Sequence, residues 1–224
     1  MVPVRKIYIY NDKGVFAKHL PQLKKWAGKI FNCKNIYEIN SKTIISKNRL
    51  TNKDVLIMPG GHARFYSEKL NGLGCSNIRD FIKEGGLFIG ICGGSYFAST
   101  KVDFTGEGLR IETDQSSNED LNIFQATAKG TIKELAPLFK ENSETNTFVE
   151  ILSDNSIYEV YYNGGPCFIP SNEEHFSALF SYKKTQQLAA VKKKYYQGYI
   201  YLFGFHPELS QNESLNVKIT EDID

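Results

Sequence analysis

Four short apolar runs punctuate the first hundred residues, Ile7–Tyr10, Ile36–Ile39, Val55–Met58 and Leu87–Ile91. They are rich in β-branched or aromatic residues and bounded by Gly, Pro, Asn or Asp, as strands buried inside a parallel sheet are. Between the first two, Val15, Phe16, Leu20, Leu23, Trp26, Ala27 and Phe31 approximate a 3.6-residue period. That spacing predicts a helix lying on the sheet, with Pro21 marking a break in it. Ile78, Phe81 and Ile82 recur at i, i+3 and i+4, and Gly85-Gly86 then stops a second helix before the fourth strand. The alternation predicts βα units stacked into an open parallel sheet with helices on both faces.

From about residue 102 to 180 the pattern changes to polar, short-period segments such as 109–113 and 157–162, with one helix expected near 132–139. This region reads as a mainly β elaboration. Strand chemistry resumes at 188–191 and 199–205. The expected organisation is a single α/β domain over residues 1–210, followed by a polar tail, 211–224, expected to lack order.

Composition narrows the functions on offer. Hydrophobic residues at 41% and charged residues at 23% are ordinary for a globular domain able to bury a core. A net charge of +2 gives no electrostatic reason to expect nucleic acid or an anionic membrane. The run Lys192-Lys193-Lys194 reads as a solvated strand end. No secretory h-region follows Met1 and no window is apolar enough to span a bilayer, so a cytoplasmic protein is expected. Cys33, Cys75, Cys92 and Cys167 lack CxxC spacing, which predicts reduced thiols, and no His, Cys, Asp or Glu set has metal-site spacing. Neither a metal nor a cofactor is expected.

Within this frame one cysteine stands apart. Leu87 to Ala98 reads as a strand, then Cys92 followed by Gly93-Gly94, then a helix start. Such a nucleophile elbow holds its side chain clear on a strained turn and needs small neighbours, here Gly90, Gly93 and Gly94. The helix start also offers unpaired N–H groups that favour a thiolate or an oxyanion, with Gly93 as first donor. Pro59-Gly60-Gly61 ends another strand at the same sheet edge, and Gly61 is the candidate second donor. Of the four histidines only His206 directly follows a strand-like run, and Glu208 lies across Pro207 from it. The pair has the makings of a base and the carboxylate that orients it. His62 could line the same pocket or be a solvated loop residue. Cys33, Cys75 and Cys167 read as structural.

With these residues the chain resembles the class I glutamine amidotransferase-like superfamily, whose members carry a Cys-His-Glu triad. A narrower likeness rests on Pro59-Gly60-Gly61, the run from Gly90 to Ser99, Thr127-Ala128-Lys129-Gly130 and Tyr161-Tyr162-Asn163-Gly164-Gly165. These segments look like the amidotransferase-like N-terminal domain of biotin-protein ligases and its stand-alone relatives.

The resemblance implies a flavodoxin-like fold, a catalytic Cys92, His206 and Glu208, and an oxyanion hole from Gly61 and Gly93. It also implies substrate contacts from Gly60, Ser95, Asn163 and Gly164. A departure accompanies it: glutaminases of this class place a Gln soon after the nucleophile, where this chain has Ser95, Tyr96 and Phe97. That argues against classical glutamine hydrolysis. No ligase or synthetase domain is expected in the chain, so an amidotransferase would need a separate partner enzyme. The leading expectation is a cysteine hydrolase or amidotransferase-like enzyme that attacks a small-molecule amide or related carbonyl through a thioester. The alternative is a non-catalytic binding or regulatory module that retains the pocket.

Overall fold

The computed structural model describes residues 6–46, 50–106, 109–137, 147–210 and 212–223. Strand β1 (Ile7–Tyr10) leads through a 3-10 turn, Ala17–His19, into helix α1 (Leu20–Ile30). Pro21 starts α1 instead of breaking it, because the first helical turn has no intrahelical acceptor for a proline to deprive. There follow β2 (Ile36–Ile39), α2 (Ser41–Ser46), β3 (Val55–Met58), α3 (Ala63–Leu70), α4 (Leu73–Lys83), β4 (Leu87–Ile91) and α5 (Gly93–Ala98). Then come strands β5 (Ser99–Gly106), β6 (Leu109–Asp114), β7 (Phe124–Gly130), β8 (Thr147–Ser153), β9 (Ser156–Tyr162), β10 (Cys167–Pro170), β11 (Ser177–Tyr182), β12 (Leu188–Tyr195) and β13 (Gly198–Phe203). The chain closes with helix α6 (Glu213–Ile223).

The strands join in the order β2-β1-β3-β4-β13-β12-β10-β7-β5-β6, with β11, β8 and β9 branching from β12. The first five, β2-β1-β3-β4-β13, are all parallel and form the flavodoxin-like half that the alternating pattern predicts. Beyond β13 most pairs are antiparallel, and these strands are the β elaboration. Period-two alternation divides the core. Ile7, Ile9, Val55, Ile57, Ile89, Ile91, Tyr201 and Phe203 pack toward α1 and α6. Tyr8, Leu56, Met58, Phe88, Ile200 and Leu202 pack toward α2, α3 and α4.

Two expectations are corrected. Near 132–139, the segment through residue 137 makes only a single turn, closed by the Ala136 N–H donating to the Ile132 carbonyl. Residues 138 and 139 lie outside the described residues. The tail, expected to lack order, is helical over Glu213–Ile223: Leu215 and Ile219 are buried in the core beside α1. Asn216 accepts from the Trp26 indole N–H at 3.1 Å, and Lys29 pairs with Glu213. Its buried apolar positions are only three, Leu215, Ile219 and Ile223, too few to stand out in a polar segment.

All four cysteines are unpaired. Burial pushes the Cys75 thiol up to about 12 and the Cys167 thiol up to about 11, in keeping with structural roles. The three-lysine run ends β12, where Lys193 pairs with Glu174 at 2.7 Å. Among the described residues no helix is long and apolar enough to cross a membrane.

If α6 is part of the core, Leu215→Ala lowers unfolding free energy by about 2–5 kcal/mol in urea titration, as for other fully buried leucines. A loss below about 0.5 kcal/mol would mean that the helix is an appendage.

Candidate functional site

Three adjacent parallel strands, β3, β4 and β13, end at one edge of the sheet and deliver Gly60-Gly61, Cys92 and His206 side by side. Cys92 occupies the central position. Its backbone has φ +49° and ψ −102°, outside the regions that L-residues ordinarily occupy. The surroundings hold it there. Its N–H donates to the Phe203 carbonyl at 2.8 Å, while its own carbonyl accepts from the Ser95 and Tyr96 N–H groups. The turn also needs glycine at 94, where an added Cβ would lie 2.0 Å from the Met58 carbonyl oxygen.

His206 follows β13 and is fully buried. Its N–H donates to the Tyr161 carbonyl at 2.9 Å, bridging it to the end of β9. Nδ1 lies 2.7 Å from Glu208 Oε1, and the 3-10 turn Pro207–Leu209 sets this i, i+2 geometry. The ring sits so close to the β3 loop that a Cβ on Gly60 would come within 2.5 Å of its Cε1. Burial pushes the His206 pKa down, but the Glu208 charge and then the charge on the Cys92 sulfur outweigh it. The result is a rise from 6.5 to about 10. Nε2 is covered and has no hydrogen-bond partner among the described residues. A thiol beside an imidazole whose far nitrogen faces a carboxylate can pass its proton to that ring.

A second loop closes over the cysteine. Cys92 Sγ lies 3.7 Å from the Asn163 carbonyl oxygen, and a Cβ on Gly165 would approach Sγ to 3.5 Å. Three buried tyrosine hydroxyls pin this loop, Tyr96 to the Gly164 carbonyl, Tyr162 to Gly165 and Tyr182 to Pro166, at 2.8–3.0 Å. Burial raises the pKa of each phenol, so all three remain hydrogen-bond donors. In front of Sγ opens a cleft of about 590 Å³, reached by Cys92, Gly61, His62, Asn163 and Gly164.

The structure thus gathers Cys92, His206, Glu208, Gly61, Gly93, Asn163 and Gly164 around one point. Two residues expected to touch substrate are placed otherwise. Ser95 is fully buried and its hydroxyl donates to the Gly90 and Phe203 carbonyls at 2.9 Å, tying β4 to β13. Gly60 does not line the cleft, and its missing side chain makes room for the imidazole.

Other neighbours escaped notice in the sequence. The rings of Tyr161 and His19 stand edge-on to His206 at centroid distances of 5.6 and 5.9 Å. His19, His206 and Glu208 each offer a ligand atom within 4.8 Å of the others, so this set could hold a cation. Their spacing hides it, because His19 comes from the turn before α1. The tyrosine pins were equally hidden, since a hydroxyl bound to a distant carbonyl leaves no local pattern.

The parallel strand order is that of a flavodoxin-like, class I glutamine amidotransferase-like fold. The family described as Biotin-protein ligase, N terminal, matches residues 5–223, and the chain belongs to it. The biotin–protein ligase of Schizosaccharomyces pombe is 29% identical over 170 residues, which is 71% of this chain and 26% of the ligase. An uncharacterized protein of Chlamydia muridarum is 26% identical over 217 residues, 92% of this chain and 81% of its own. A cobyric acid synthase of Prochlorococcus marinus is 29% identical over 171 residues, 74% of this chain and 32% of the synthase. The chain therefore spans about a quarter of the ligase and a third of the synthase.

Among solved structures, a protein from Thermoplasma acidophilum provisionally assigned as part of a GMP synthase superposes with TM-score 0.55 at 15% identity. The match covers 96% of this chain and 90% of that one. A catalytic mutant of Gan42B, a GH42 β-galactosidase from G. stearothermophilus, gives 0.51 at 10% identity over 98% of this chain and 29% of its own. At such identities the likeness is one of fold alone.

The positive φ at Cys92 predicts an inverted substitution preference. Cys92→Gly should be more stable than Cys92→Ala by about 1 kcal/mol, whereas alanine wins at ordinary positions; urea midpoints decide it. A second expectation concerns pH. Because folding raises the His206 pKa, its stabilisation is fully present below 6.5 and is lost as pH climbs through about 10. Unfolding free energy should fall more steeply between those limits in the wild type than in Glu208→Gln, and parallel slopes would contradict the assignment.

Proposed function

We propose that this chain is a cysteine-dependent acyl-transfer enzyme acting on an amide or related carbonyl. The observation that carries the reading is the meeting of a backbone-strained Cys92 with a buried His206–Glu208 pair at adjoining strand ends. The Cys92 thiolate, its proton held on His206, attacks the carbonyl carbon. A C–S bond forms as the carbonyl π electrons move onto oxygen. Two backbone amides suit the oxyanion. Gly93 is the first residue of α5 and has no intrahelical acceptor. The bridge between Val15 and Gly61 uses the Phe16 and His62 N–H groups, leaving the Gly61 amide outside it.

Collapse of the intermediate expels the amine, which takes the proton from His206. Water or an amine then attacks the thioester with His206 as base, and the thiolate leaves. Glu208 holds Nδ1 throughout, which fixes the tautomer and steadies the imidazolium.

The test is acylation by p-nitrophenyl acetate, followed by nitrophenolate release and peptide mass spectrometry. One acetyl group should appear on Cys92, and His206→Ala should slow its formation by roughly 100- to 10,000-fold. Acetylation of Cys75 instead, or Cys92 acetylation indifferent to His206→Ala, would remove the basis for an enzyme.

A further inference from the structure

The cleft in front of Cys92 is larger than a reacting carbonyl requires, and its two walls differ in chemistry. One wall is apolar: Tyr96 passes to Val102 and Phe104 of β5 and to Ile111 of β6. The other is α3, whose lining positions from Arg64 to Asn71 alone span about 10 Å along the helix axis. Carboxylates at the mouth are largely offset. Glu68 lies 3.6 Å from the Lys13 ammonium, Asp114 accepts from the Ser116 N–H near Lys101, and Asp120 accepts from the Ser117 hydroxyl while Arg79 binds its carbonyl. Glu119 and Arg64 also line the rim.

Three polar atoms facing this space are covered yet lack a hydrogen-bond partner among the described residues: Asn163 Oδ1, Ser67 Oγ and Gln115 Oε1. Gln115 is only 9% exposed, and its Nε2 donates to Thr113 Oγ1 at 3.5 Å, which leaves Oε1 as the unmatched acceptor. Buried acceptors without donors are costly, and a row of them along a cleft is complementary to a ligand that brings N–H or O–H groups.

From this we infer the substrate class: an extended, uncharged amide with an unbranched apolar arm and a hydrogen-bond donor at its far end. The proposal rests on Cys92 being the nucleophile. The reacting amide lies at Sγ with its N–H directed to Asn163 Oδ1. The arm follows Tyr96, Val102, Phe104 and Ile111, and the distal donor reaches Gln115 Oε1. Free glutamine fits poorly. Only two methylenes separate its amide carbon from the charged α-carbon groups, which would be laid against the apolar wall.

The experiment uses four haloacetamides on the full chain: iodoacetamide, its N-hexyl derivative, its N-(6-acetamidohexyl) derivative and its N-(5-carboxypentyl) derivative. In each the Cys92 thiolate displaces iodide, forming a C–S bond as the C–I bond breaks, and peptide mass spectrometry gives the second-order rate. The hexyl probe should react roughly tenfold faster than iodoacetamide through burial of its arm. The acetamidohexyl probe should gain a further several-fold, the carboxypentyl probe should fall below the hexyl one, and Gln115→Leu should erase the acetamidohexyl-to-hexyl ratio. Equal rates across the series, or a preference for the carboxylate, with labelling that still depends on His206, would overturn the substrate class and leave the nucleophile standing. Labelling of Cys92 that ignores His206 in every arm would remove both.

Discussion

Everything at this site depends on how closely three strand ends approach one another. A cysteine with φ +49° is unfavourable on its own, and it persists only where neighbours over-determine it. Here they do. Cys92 is fixed through its N–H to β13 and through its carbonyl to the first turn of α5. The α5 start presses against the end of β3 with no space for a side chain at Gly94. Strain at one residue is thereby sustained by the whole parallel half of the sheet. The side chain has little choice but to face the cleft.

The same close approach explains how a buried histidine and carboxylate are tolerated. An imidazole without exposure normally loses its proton, because the charged form is the one that burial penalises. Glu208 and the sulfur reverse that balance for His206. The cost is spread over a framework of other satisfied groups: three tyrosine hydroxyls and the Ser95 hydroxyl are all spent on backbone carbonyls around the site. Such a network is rigid because any member that moves leaves a buried polar group unmatched. Three of the residues with an unmatched buried atom, Ser67, Gln115 and Asn163, line the cleft.

How much of this could be read from the chain follows from which interactions are local. The parallel strands, the Cys92 elbow and the His206-Pro207-Glu208 turn are set by residues close in sequence, and they stand where their spacing put them. Ser95 and Gly60 were misplaced because a motif gives a residue's neighbourhood but not the direction of its side chain. Ser95 turns inward to carbonyls of β4 and β13, and Gly60 matters for a ring 146 residues further on. Helix α6 was missed because its partners, Trp26 and Lys29, lie at the other end of the chain. His19 and the tyrosine pins share that property: their meaning is entirely tertiary.

The division between the two halves of the sheet carries a further consequence. Strands β3, β4 and β13 supply the edge that carries Gly61, Cys92 and His206, and a similar fold occurs in proteins as unlike as one provisionally assigned to a GMP synthase and part of a β-galactosidase. An edge so widely shared cannot by itself select a substrate. The other walls of the cleft come from elsewhere: β5 and β6 provide apolar residues, the segment after β6 provides Gln115, and the loop after β9 provides Asn163. Of these, the Asn163 loop is held by buried hydroxyls against the cysteine itself, so changes there disturb sulfur and substrate together. The β5–β6 wall meets the site at Tyr96, whose ring packs edge-on against Phe104 at 5.8 Å. A change at Val102, Phe104 or Ile111 therefore alters the cleft without removing any of the hydrogen bonds that fix Cys92 and the Asn163 loop.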